Sequence, residues 1–369
     1  MVFMNRKEPQ QARSGRATLK QVAKELGVSA MTVSNAYNRP NQLSAALRER
    51  VFEAAQRLGY AGPDPTARGL RRGRTGALGI LYDSPLSYAF DDAAAVTFFR
   101  GVSSVAEGEK LGLLLLPGSF AEERDAAAIG NAIVDGFVVY SVSEDDPLLA
   151  AALERGLPVV VVDQPFVESV PFVSVDDTVA ARSAAKHLLG LGHRRFGVVS
   201  FGLRRDGFKG FADLERQSAA RYRVSRARLG GYAAVLSEAG IPWSDVPVFE
   251  CPGSSQNLGR EAARTLLSLP ERPTAILATS DRLAIGVLEA AKEAELSVPA
   301  DLSVVGFDDT PEAAHSEPPL TTVAQDHAEK GRLAAQLLIV GLRGERLENP
   351  APLTTWLVVR GSSAPVNGM

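Results

Sequence analysis

From Gly76 onward, the sequence repeats one pattern: a short, wholly apolar run followed by a segment with helical periodicity. Five runs come first: "ALGILYD", "LGLLLLPG", "DGFVVYS", "PVVVVDQ" and "FVSVDD". Four more follow: "RFGVVSFG", "VPVFECP", "TAILATSD" and "LSVVGFDD". Strands that are apolar along their whole length are typical of parallel sheets covered by helices on both faces. The alternation therefore predicts an α/β core of two consecutive doubly wound parallel sheets. A last run, "LTTWLVVRGSS", predicts a lone strand and a chain that crosses between two lobes more than once.

The first 75 residues differ from this core in charge. They carry 14 Lys/Arg against 5 Asp/Glu, whereas the remaining residues carry 26 against 38. A basic head on an acidic body indicates a polyanionic partner for the head alone. The alternative is a solvated basic segment that binds nothing.

A first helix is predicted after a tail over 1–16, which lacks apolar periodicity and which we expect to be disordered. Thr18 and Gln21 have the spacing of a capping box at the start of "LKQVAKEL". Gly27 suits the left-handed turn that ends this helix. A helix with these boundaries presents Leu19, Val22, Ala23 and Leu26 on one face.

Two more helices follow in the head. Ser29 is placed to cap a helix over 30–37, "NRPNQLS" is predicted to be a loop, and Ser44 is placed to cap a helix over 45–58. Two helices joined by a short turn that contains glycine are typical of a helix-turn-helix, although small helical bundles share this pattern. In a helix-turn-helix, the second helix enters the major groove of DNA.

The segment "GPDPTARGLRRGRTG" is predicted to be a linker that contains a short helix. Asp64 can cap this helix, and Pro65 stands at the favoured first position. A helix of about two turns that includes Gly69 is mostly unfolded when it is alone in water. We therefore expect it to form only where something else holds it.

These motifs together resemble the lac-repressor (LacI/GalR) family. The resemblance rests on "TLKQVAKELGVSAMTVSNAYN", "LRERVFEAAQRLGY" and "PDPTARGLRRGRTGALGI" in the first part of the chain. It continues through "LGHRRFGVVS", "TSDRLAIGVL", "LSVVGFDDT" and "PPLTTVAQD", and so covers roughly Arg16 to Ser363.

The resemblance implies a division of the chain into a DNA-binding head and a bilobed, periplasmic-binding-protein-like core. The helix-turn-helix domain is expected over 17–62 and a hinge helix with its linker over 63–75. The N-subdomain of the core is expected over 76–174 and about 326–354. The C-subdomain is expected over 175–325 and about 355–363.

The resemblance also implies which side chains touch operator DNA. Ala30, Met31 and Asn35 occupy the base-reading positions. The positions expected to contact the DNA backbone are Thr18, Ser29, Thr32, Ser34 and Asn38. Asn35 stands where the family usually has arginine, and asparagine pairs with adenine rather than guanine. Small or apolar residues such as Ala30 and Met31 suit thymine methyl groups. We therefore expect an operator unlike the commonest family sites, unless Asn35 merely faces solvent.

In the hinge, Leu70 matches the leucine that wedges between base pairs in the minor groove, where an apolar wedge kinks the duplex. Ala67 matches a close-approach position beside the groove. The alternative is that Leu70 is an exposed linker residue. The nearby arginines are expected to attract phosphates: Arg71, Arg72 and Arg74.

Ligands in open α/β folds bind beyond the carboxyl ends of the strands. Together with the resemblance, this makes Asp163, Arg228, Ser280 and Asp308 the expected contacts to a small effector between the lobes. Asp281 is a further candidate, with the alternative that it only caps the helix after it. Carboxylates accept from hydroxyls and guanidinium groups donate to adjacent oxygens, which favours a polyhydroxylated effector such as a sugar or nucleoside. Ser280 stands where the family usually has asparagine, and 84–90 should border the same cleft.

The segment 203–227 is rich in arginine and longer than the family norm. It is either a solvated insertion or a lid over the effector cleft that brings Tyr222 to the ligand.

Catalysis finds little support in the sequence. A phosphate-binding glycine loop, a nucleophile elbow and a paired metal-ligand motif are all missing, and Cys251 is the only cysteine. The histidines are scattered at positions 187, 193, 315 and 327, and His193 lies at a predicted helix-to-strand turn. No metal and no cofactor is therefore expected.

The sequence is thus predicted to be an effector-controlled transcriptional regulator, most simply a repressor, that binds pseudo-palindromic double-stranded DNA as a homodimer. Residues 1–20 are polar and lack the apolar segment of a signal peptide, which favours the cytoplasm and gives no reason to expect a membrane partner. The alternatives are a periplasmic-type sugar-binding protein, which shares the bilobed core but requires export, and a nucleotide-using α/β enzyme.

Overall fold

The protein is described by a computed structural model over residues 17–62, 74–118, 122–345 and 348–366. It divides into two compact units, a head up to Thr75 and a core from Gly76. The predicted hinge helix with Asp64, Pro65, Ala67 and Leu70 lies outside the described residues, as does the expected tail over 1–16. Of the helices that are described, none is both long and apolar enough to cross a membrane.

The head is a three-helix unit, as predicted. Its helices are α1 (Leu19–Leu26), α2 (Ala30–Asn38) and α3 (Ala45–Leu58). The helices share one small core, formed by Val22, Ala23, Val33, Ala36, Val51, Ala54 and Ala55. Because Ala23 and Val33 lie in this same core, α1 and α2 cross closely on either side of the turn at Gly27, whose φ is 67°. The loop predicted after α2 is a short 3-10 helix, Pro40–Gln42.

The predicted caps of α2 and α3 are confirmed. The Ser29 hydroxyl accepts from the Thr32 N–H at 3.0 Å, and that of Ser44 accepts from the Leu47 N–H at 3.3 Å. At the start of α1, the side-chain oxygen of Gln21 accepts from the Thr18 N–H at 2.7 Å and from its hydroxyl at 3.1 Å. Each helix of the head therefore begins with side chains that hydrogen-bond to backbone groups at the helix start.

The first lobe of the core, called the N-lobe here, contains a five-stranded parallel sheet in the order β2-β1-β3-β4-β5. Its strands are β1 (Ala77–Tyr82), β2 (Gly112–Pro117), β3 (Gly136–Tyr140), β4 (Val159–Val162) and β5 (Phe172–Val173). The helices between them are α4 (Leu86–Asp91), α5 (Ala93–Gly108), α6 (Glu122–Asn131) and α7 (Pro147–Glu154). Separate apolar clusters cover the two faces of the sheet, which is why its strands are apolar throughout.

The second lobe, the C-lobe, contains a seven-stranded sheet in the order β12-β11-β10-β9-β6-β8-β7. The strands are β6 (Phe196–Ser200), β7 (Gly210–Phe211), β8 (Val248–Glu250), β9 (Ala275–Ala278), β10 (Ser303–Asp308), β11 (Thr321–Ala324) and β12 (Trp356–Val358). Its helices are α8 (Asp177–Gly190), α9 (Leu214–Ser218), α10 (Arg223–Glu238), α11 (Gln256–Leu267), α12 (Asp281–Glu293) and α13 (Pro311–His315). A second 3-10 turn spans Trp243–Asp245.

The prediction of two doubly wound sheets is confirmed, with a correction at the edges of the second. The edge strands β7 and β12 run antiparallel to their neighbours. β7 was not predicted because it has only two residues, and β11 was not predicted because its Thr321 and Thr322 break the apolar run. The predicted lone strand is β12.

The last helix, α14 (His327–Leu342), follows a C-lobe strand but packs on the N-lobe. It crosses α5 so closely that a Cβ on Gly101 would lie 2.0 Å from the Ala328 carbonyl oxygen, and one on Gly331 would lie 2.1 Å from that of Phe98. Only glycine fits at these two positions. The chain then returns to the C-lobe beside its first crossing, where Val175 pairs with Leu353.

Candidate functional site

The start of α2 is accessible to solvent. Ala30 is exposed there, and 69% of Met31 is accessible although it is a large apolar residue. Thr18 and Ser29 lie at the N-termini of α1 and α2, where free backbone N–H groups attract anions such as phosphate. The structure thus places these predicted DNA contacts on accessible helix ends.

Asn35 and Asn38 differ in how much of their amide groups is already engaged. Asn38 donates back to the Ser34 carbonyl at 3.0 Å and lies 3.2 Å from the Ser34 hydroxyl. Asn35 is half-buried, and its amide contacts the Gln42 side-chain oxygen only at 3.4 Å. Gln42 was not among the predicted contacts, because its proximity to Asn35 depends on how the short 3-10 turn folds back.

The core has a cleft of about 220 Å³ between its two lobes. It is lined from both sides by residues that directly follow strands, as the carboxyl-end rule predicts. Of the five residues predicted from the sequence, four line it: Asp163, Arg228, Ser280 and Asp308. The predicted border over 84–90 contributes Ser84, Pro85 and Tyr88.

Arg228 projects from α10 and is held on three sides. Its guanidinium donates to Asp177 at 2.9 Å and to the Thr279 carbonyl at 2.5 Å, and it stacks over Phe307 at 3.5 Å from the ring centroid. Burial disfavours its charge, but the neighbouring carboxylates Asp177 and Asp308 outweigh burial and raise its pKa. Arg228 is therefore a fixed, fully charged donor at the cleft wall.

Asp308 ends β10 with a φ of 121°, which turns its side chain into the cleft. Burial alone would raise its pKa, but the nearby His327 and Arg228 and a 2.6 Å hydrogen bond from Gln325 lower it. Its contacts with these three residues all involve Oδ1. An ionised carboxylate with a second oxygen at the cleft is a strong acceptor for hydroxyl groups.

Asp163 follows β4 and is already paired. Its Oδ1 lies 2.6 Å from the Lys330 ammonium, which is 1% exposed and also donates to the Gln325 side chain at 2.5 Å. Sequence reasoning did not identify Lys330 or Gln325. The signal for Lys330 was a lysine on the helix face that also carries Gly331, Ala334 and Leu338, where a solvated charge is not expected.

The structure corrects the assignment of Asp281, which does not line the cleft. It is fully buried, and it accepts from the Thr322 hydroxyl at 2.5 Å and from the Thr310 N–H at 2.7 Å. Burial and the nearby Asp308 raise its pKa well above the ordinary value. The helix cap is Ser280 instead, whose hydroxyl accepts from the Leu283 N–H at 3.3 Å and lies 2.6 Å from that of Ser254.

The arginine-rich segment 203–227 is folded against the N-lobe. Arg205 donates to Asp146 at 2.8 Å and lies 3.5 Å from Asp83, and the Tyr222 hydroxyl donates to Asp83 at 2.6 Å. Arg226 pairs with Glu144 at 2.7 Å. The contacts favour the lid over the solvated insertion, because this C-lobe segment closes one side of the cleft onto N-lobe carboxylates.

The arginines of this segment also serve within the C-lobe. Arg216 donates to the buried Glu250 at 2.5 Å, pairs with Asp206 at 2.8 Å and stacks over Phe208 at 3.9 Å from the ring centroid. Of the segment, Arg204, Arg205, Gly207, Tyr222 and Val224 line the cleft.

A second direct contact joins the lobes on another side of the cleft. The Tyr88 hydroxyl donates to the Ser254 carbonyl at 2.6 Å and accepts from the Ser254 N–H at 3.1 Å. Arg282 of α12 lies over the Tyr88 ring, 4.8 Å from its centroid. Tyr88 is on α4 of the N-lobe and Ser254 precedes α11 of the C-lobe. These hydrogen bonds therefore also hold the two lobes together across the cleft.

Across the described ranges, no three His, Cys, Asp or Glu side chains are grouped to hold a metal ion. His193, predicted to be structural, is buried and its ring contacts Thr274 and Ser303, both at 3.0 Å. His327 lies in the cleft wall, which sequence reasoning did not anticipate. The cleft is thus lined by carboxylates, three arginines, hydroxyl groups and one histidine.

Known proteins match both parts of the chain. The model for bacterial regulatory proteins of the lacI family matches residues 18–62, and that for a periplasmic-binding-protein-like domain matches residues 185–363. The chain is 42% identical to the HTH-type transcriptional regulator IpsA of Corynebacterium glutamicum over 95% of its own length and 98% of that relative.

Two solved structures are similar over nearly the full length. The transcriptional regulator CelR-cellobiose complex has a TM-score of 0.69 and 29% identity, and the match covers 94% of this chain and 100% of that chain. The lac repressor dimer bound to operator and the anti-inducer ONPF has a TM-score of 0.73 and 25% identity, with 95% and 99% covered.

Proposed function

Because this chain belongs to the lacI family of bacterial regulatory proteins, we propose that it is a homodimeric repressor whose operator affinity is set by a sugar or nucleoside in the cleft. The chain is a DNA-binding transcriptional regulator with a small-molecule effector, as its relatives are. The number of subunits, the class of effector and the individual contacts are the proposal. The proposed function involves no catalysis, and the protein is proposed to act on DNA in the cytoplasm.

The observation that carries the effector proposal is the convergence of Asp163, Arg228 and Asp308 on one cleft, with Ser280 beside them. Each is held by another protein group, so none has to reorganise when a ligand arrives. Fixed acceptors and one fixed planar donor match the alternating hydroxyls of a polyhydroxylated molecule. The cellobiose in the CelR structure has this chemistry.

The observation that supports the DNA contacts is the exposed start of α2, with Ala30 and Met31 accessible. A helix start is the part of a recognition helix that reaches base edges. In the proposal, Ala30, Met31 and Asn35 read bases, whereas Thr18, Ser29, Thr32, Ser34 and Asn38 contact the backbone. Ala67 and Leu70 meet the minor groove.

The proposed coupling has two states. The closed core is held by Tyr88–Ser254 on one side and by Arg205 and Tyr222 on the other, and the effector adds contacts to both lobes. A ligand that favours one arrangement of the lobes shifts operator affinity by its differential binding to the two states.

The test is DNA binding by the full-length protein. Genomic fragments selected by the protein should share a pseudo-palindromic site, and affinity for that site should fall steeply with salt. One member of a panel of sugars and nucleosides should change this affinity by about fivefold or more. If the protein retards no genomic fragment at any salt concentration, the proposal that it is a DNA-binding regulator is wrong. If it retards a fragment but no compound of the panel changes the affinity, only the proposed class of effector is wrong.

A further inference from the structure

Two buried carboxyl groups of the N-lobe lie where the arginine-rich segment closes the cleft. Asp83 follows β1, and Asp146 caps α7, where its Oδ1 accepts from the Leu148 N–H at 2.8 Å. Their side chains are 7% and 0% exposed. Arg205 of the C-lobe faces both, because its guanidinium donates to Oδ2 of Asp146 at 2.8 Å and lies 3.5 Å from Oδ1 of Asp83. The Tyr222 hydroxyl, also from the C-lobe, donates to Oδ2 of Asp83 at 2.6 Å.

The surroundings of this carboxyl pair add little positive charge. Among the described residues, Arg205 is the only cation in contact with either carboxyl group. The other titratable side chains that face the pair are Tyr82 and Asp145, and neither carries a positive charge. Arg226 of the same segment pairs with Glu144 instead, at 2.7 Å. One cation of the C-lobe is thus shared by two buried acids of the N-lobe.

Two buried acids that share one cation favour a state with one proton between them, since burial and a neighbouring negative charge both disfavour the second ionisation. Burial and the neighbouring Asp146 raise the pKa of Asp83 to about 7, against the opposing effects of Tyr222 and Arg205. With one proton on the pair, the remaining carboxylate balances the guanidinium. When the lobes separate, Arg205 and Tyr222 leave with the C-lobe and water reaches the pair, so both acids ionise closer to their ordinary pKa values.

We propose that Asp83, Asp146 and Arg205 form a proton-dependent latch between the lobes, which close with one proton on the carboxyl pair and are held less firmly once that proton is lost. Closure therefore takes up a proton, and mild acid favours the closed arrangement. The latch is a property of the core and needs no effector. Its consequence for operator affinity rests on the proposed function, in which the arrangement of the lobes sets that affinity.

A backbone hydrogen bond beside the latch reports whether the lobes are in contact. The Glu144 N–H of the N-lobe donates to the Arg221 carbonyl of the C-lobe at 3.1 Å. This bond breaks when the lobes separate, so exchange of the Glu144 amide hydrogen measures how often the latch opens. The experiment is hydrogen–deuterium exchange of the full-length protein without effector, from about pH 5 to about pH 8. Overlapping peptides isolate Glu144, and division by the intrinsic exchange rate at each pH gives its protection factor.

The raised pKa in the closed state fixes the sign of the effect. The contribution of the proton to closure is complete below about pH 4 and is lost as the pH rises towards 7. The protection factor of Glu144 should therefore fall by about tenfold per pH unit in the lower part of the range and level off above about pH 7. Asp83→Asn keeps a donor and an acceptor but does not titrate, so its protection factor should not change with pH. Asp91→Asn, at an exposed position, is the control and should keep the wild-type profile.

A wild-type protection factor that stays constant across the range would overturn the proposal, and so would a D83N profile with the wild-type slope. If D83N does not fold, Asp146→Asn decides the question, because asparagine still caps α7 while one acid of the pair is removed. A profile independent of pH is expected for that variant as well. No effector and no DNA take part in the experiment, so its failure leaves the proposed function standing, and failure of the DNA-binding test leaves the latch standing.

Discussion

The ammonium group of Lys330 lies 2.6 Å from Oδ1 of Asp163, and both side chains are almost completely shielded from solvent. Lys330 also donates to Gln325, which in turn donates to Asp308. Polar contacts thus run without a break from the end of β4 in the N-lobe to the end of β10 in the C-lobe. Asp163 and Asp308, two of the residues proposed to contact the effector, are therefore joined through Lys330 and Gln325, which the sequence motifs did not predict.

Replacement of Lys330 by methionine should leave Asp163 as an unpaired buried charge. We expect the free energy of unfolding of the core to fall by about 3–5 kcal/mol, measured by urea denaturation. The double variant Lys330→Met/Asp163→Leu should lose less than the single one, because no uncompensated charge remains. Lys186→Met, at an exposed position of α8, is the control and should change little. Similar losses in the single and double variants would contradict the pairing.

The contact between Asp83 and the arginine-rich segment should depend on pH. Burial and the neighbouring Asp146 raise the pKa of Asp83 from 3.8 to about 7. The folded state therefore holds a proton that the unfolded state releases, so this contribution to stability is complete below about pH 4 and is lost as pH rises towards 7. The free energy of unfolding should fall by up to about 1.4 kcal/mol per pH unit across that window.

Asp83→Asn should remove the Asp83 part of this slope, because the amide does not titrate, and should leave the part due to other buried carboxyl groups such as Asp281. Asp91→Asn, an exposed substitution eight residues further on, should keep the slope of the wild type. Urea denaturation at several pH values measures both. Parallel curves for the wild type and D83N would show that Asp83 ionises at its ordinary pKa.

Substitution of Asp281 should lower the stability of the fold, whereas substitution of Asp308 should weaken effector binding. Asp281→Ala leaves the Thr310 N–H and the Thr322 hydroxyl without an acceptor, so we expect unfolding to become easier by about 2 kcal/mol or more, with effector affinity of the folded protein unchanged. Asp308→Ala should weaken the binding of whichever panel compound binds. Denaturation and calorimetry on the two variants check this, and an Asp281→Ala protein that is fully stable but binds no effector would reverse the assignment.

Asn35→Ala should relax the operator preference at one base pair of each half-site, at a cost of about 1–3 kcal/mol for the preferred sequence. Binding-site selection followed by anisotropy titration measures both effects. Gln56→Ala, an exposed amide on α3, should leave the selected site unchanged. Identical sites selected by the wild type and N35A would mean that Asn35 does not read a base.

The parts of the fold that the sequence predicts are those set by local chemistry. Ser29 and Ser44 mark helix starts because an N-cap needs only its own next three residues. The buried strands stand out because each is apolar along its full length. β11 escaped this rule, because Thr321 and Thr322 are buried polar residues whose partners, such as Ser362 and Asp281, lie 41 positions away in the chain.

The cleft was predictable only in part for the same reason. The carboxyl-end rule finds residues that follow strands, but it does not say which of two adjacent side chains turns inward, so Asp281 was grouped with Ser280. Lys330 and His327 belong to a helix that packs on the opposite lobe from the strand before it. The position of His327 in the cleft wall and the contact of Lys330 with Asp163 follow from that crossing, which leaves no local pattern.

The close packing of α14 against α5 through Gly101 and Gly331 also constrains how the chain is synthesised. During synthesis, the five strands of the N-lobe leave the ribosome long before residues 327–342. The C-lobe sheet is complete only after β12 has been synthesised. Until then, the face of α5 around Gly101 lacks the helix that packs against it. The residues that form and cover the core of the head end at Tyr60. A nascent chain therefore carries a complete DNA-binding head for most of the time that its regulatory core is unfinished and prone to aggregate.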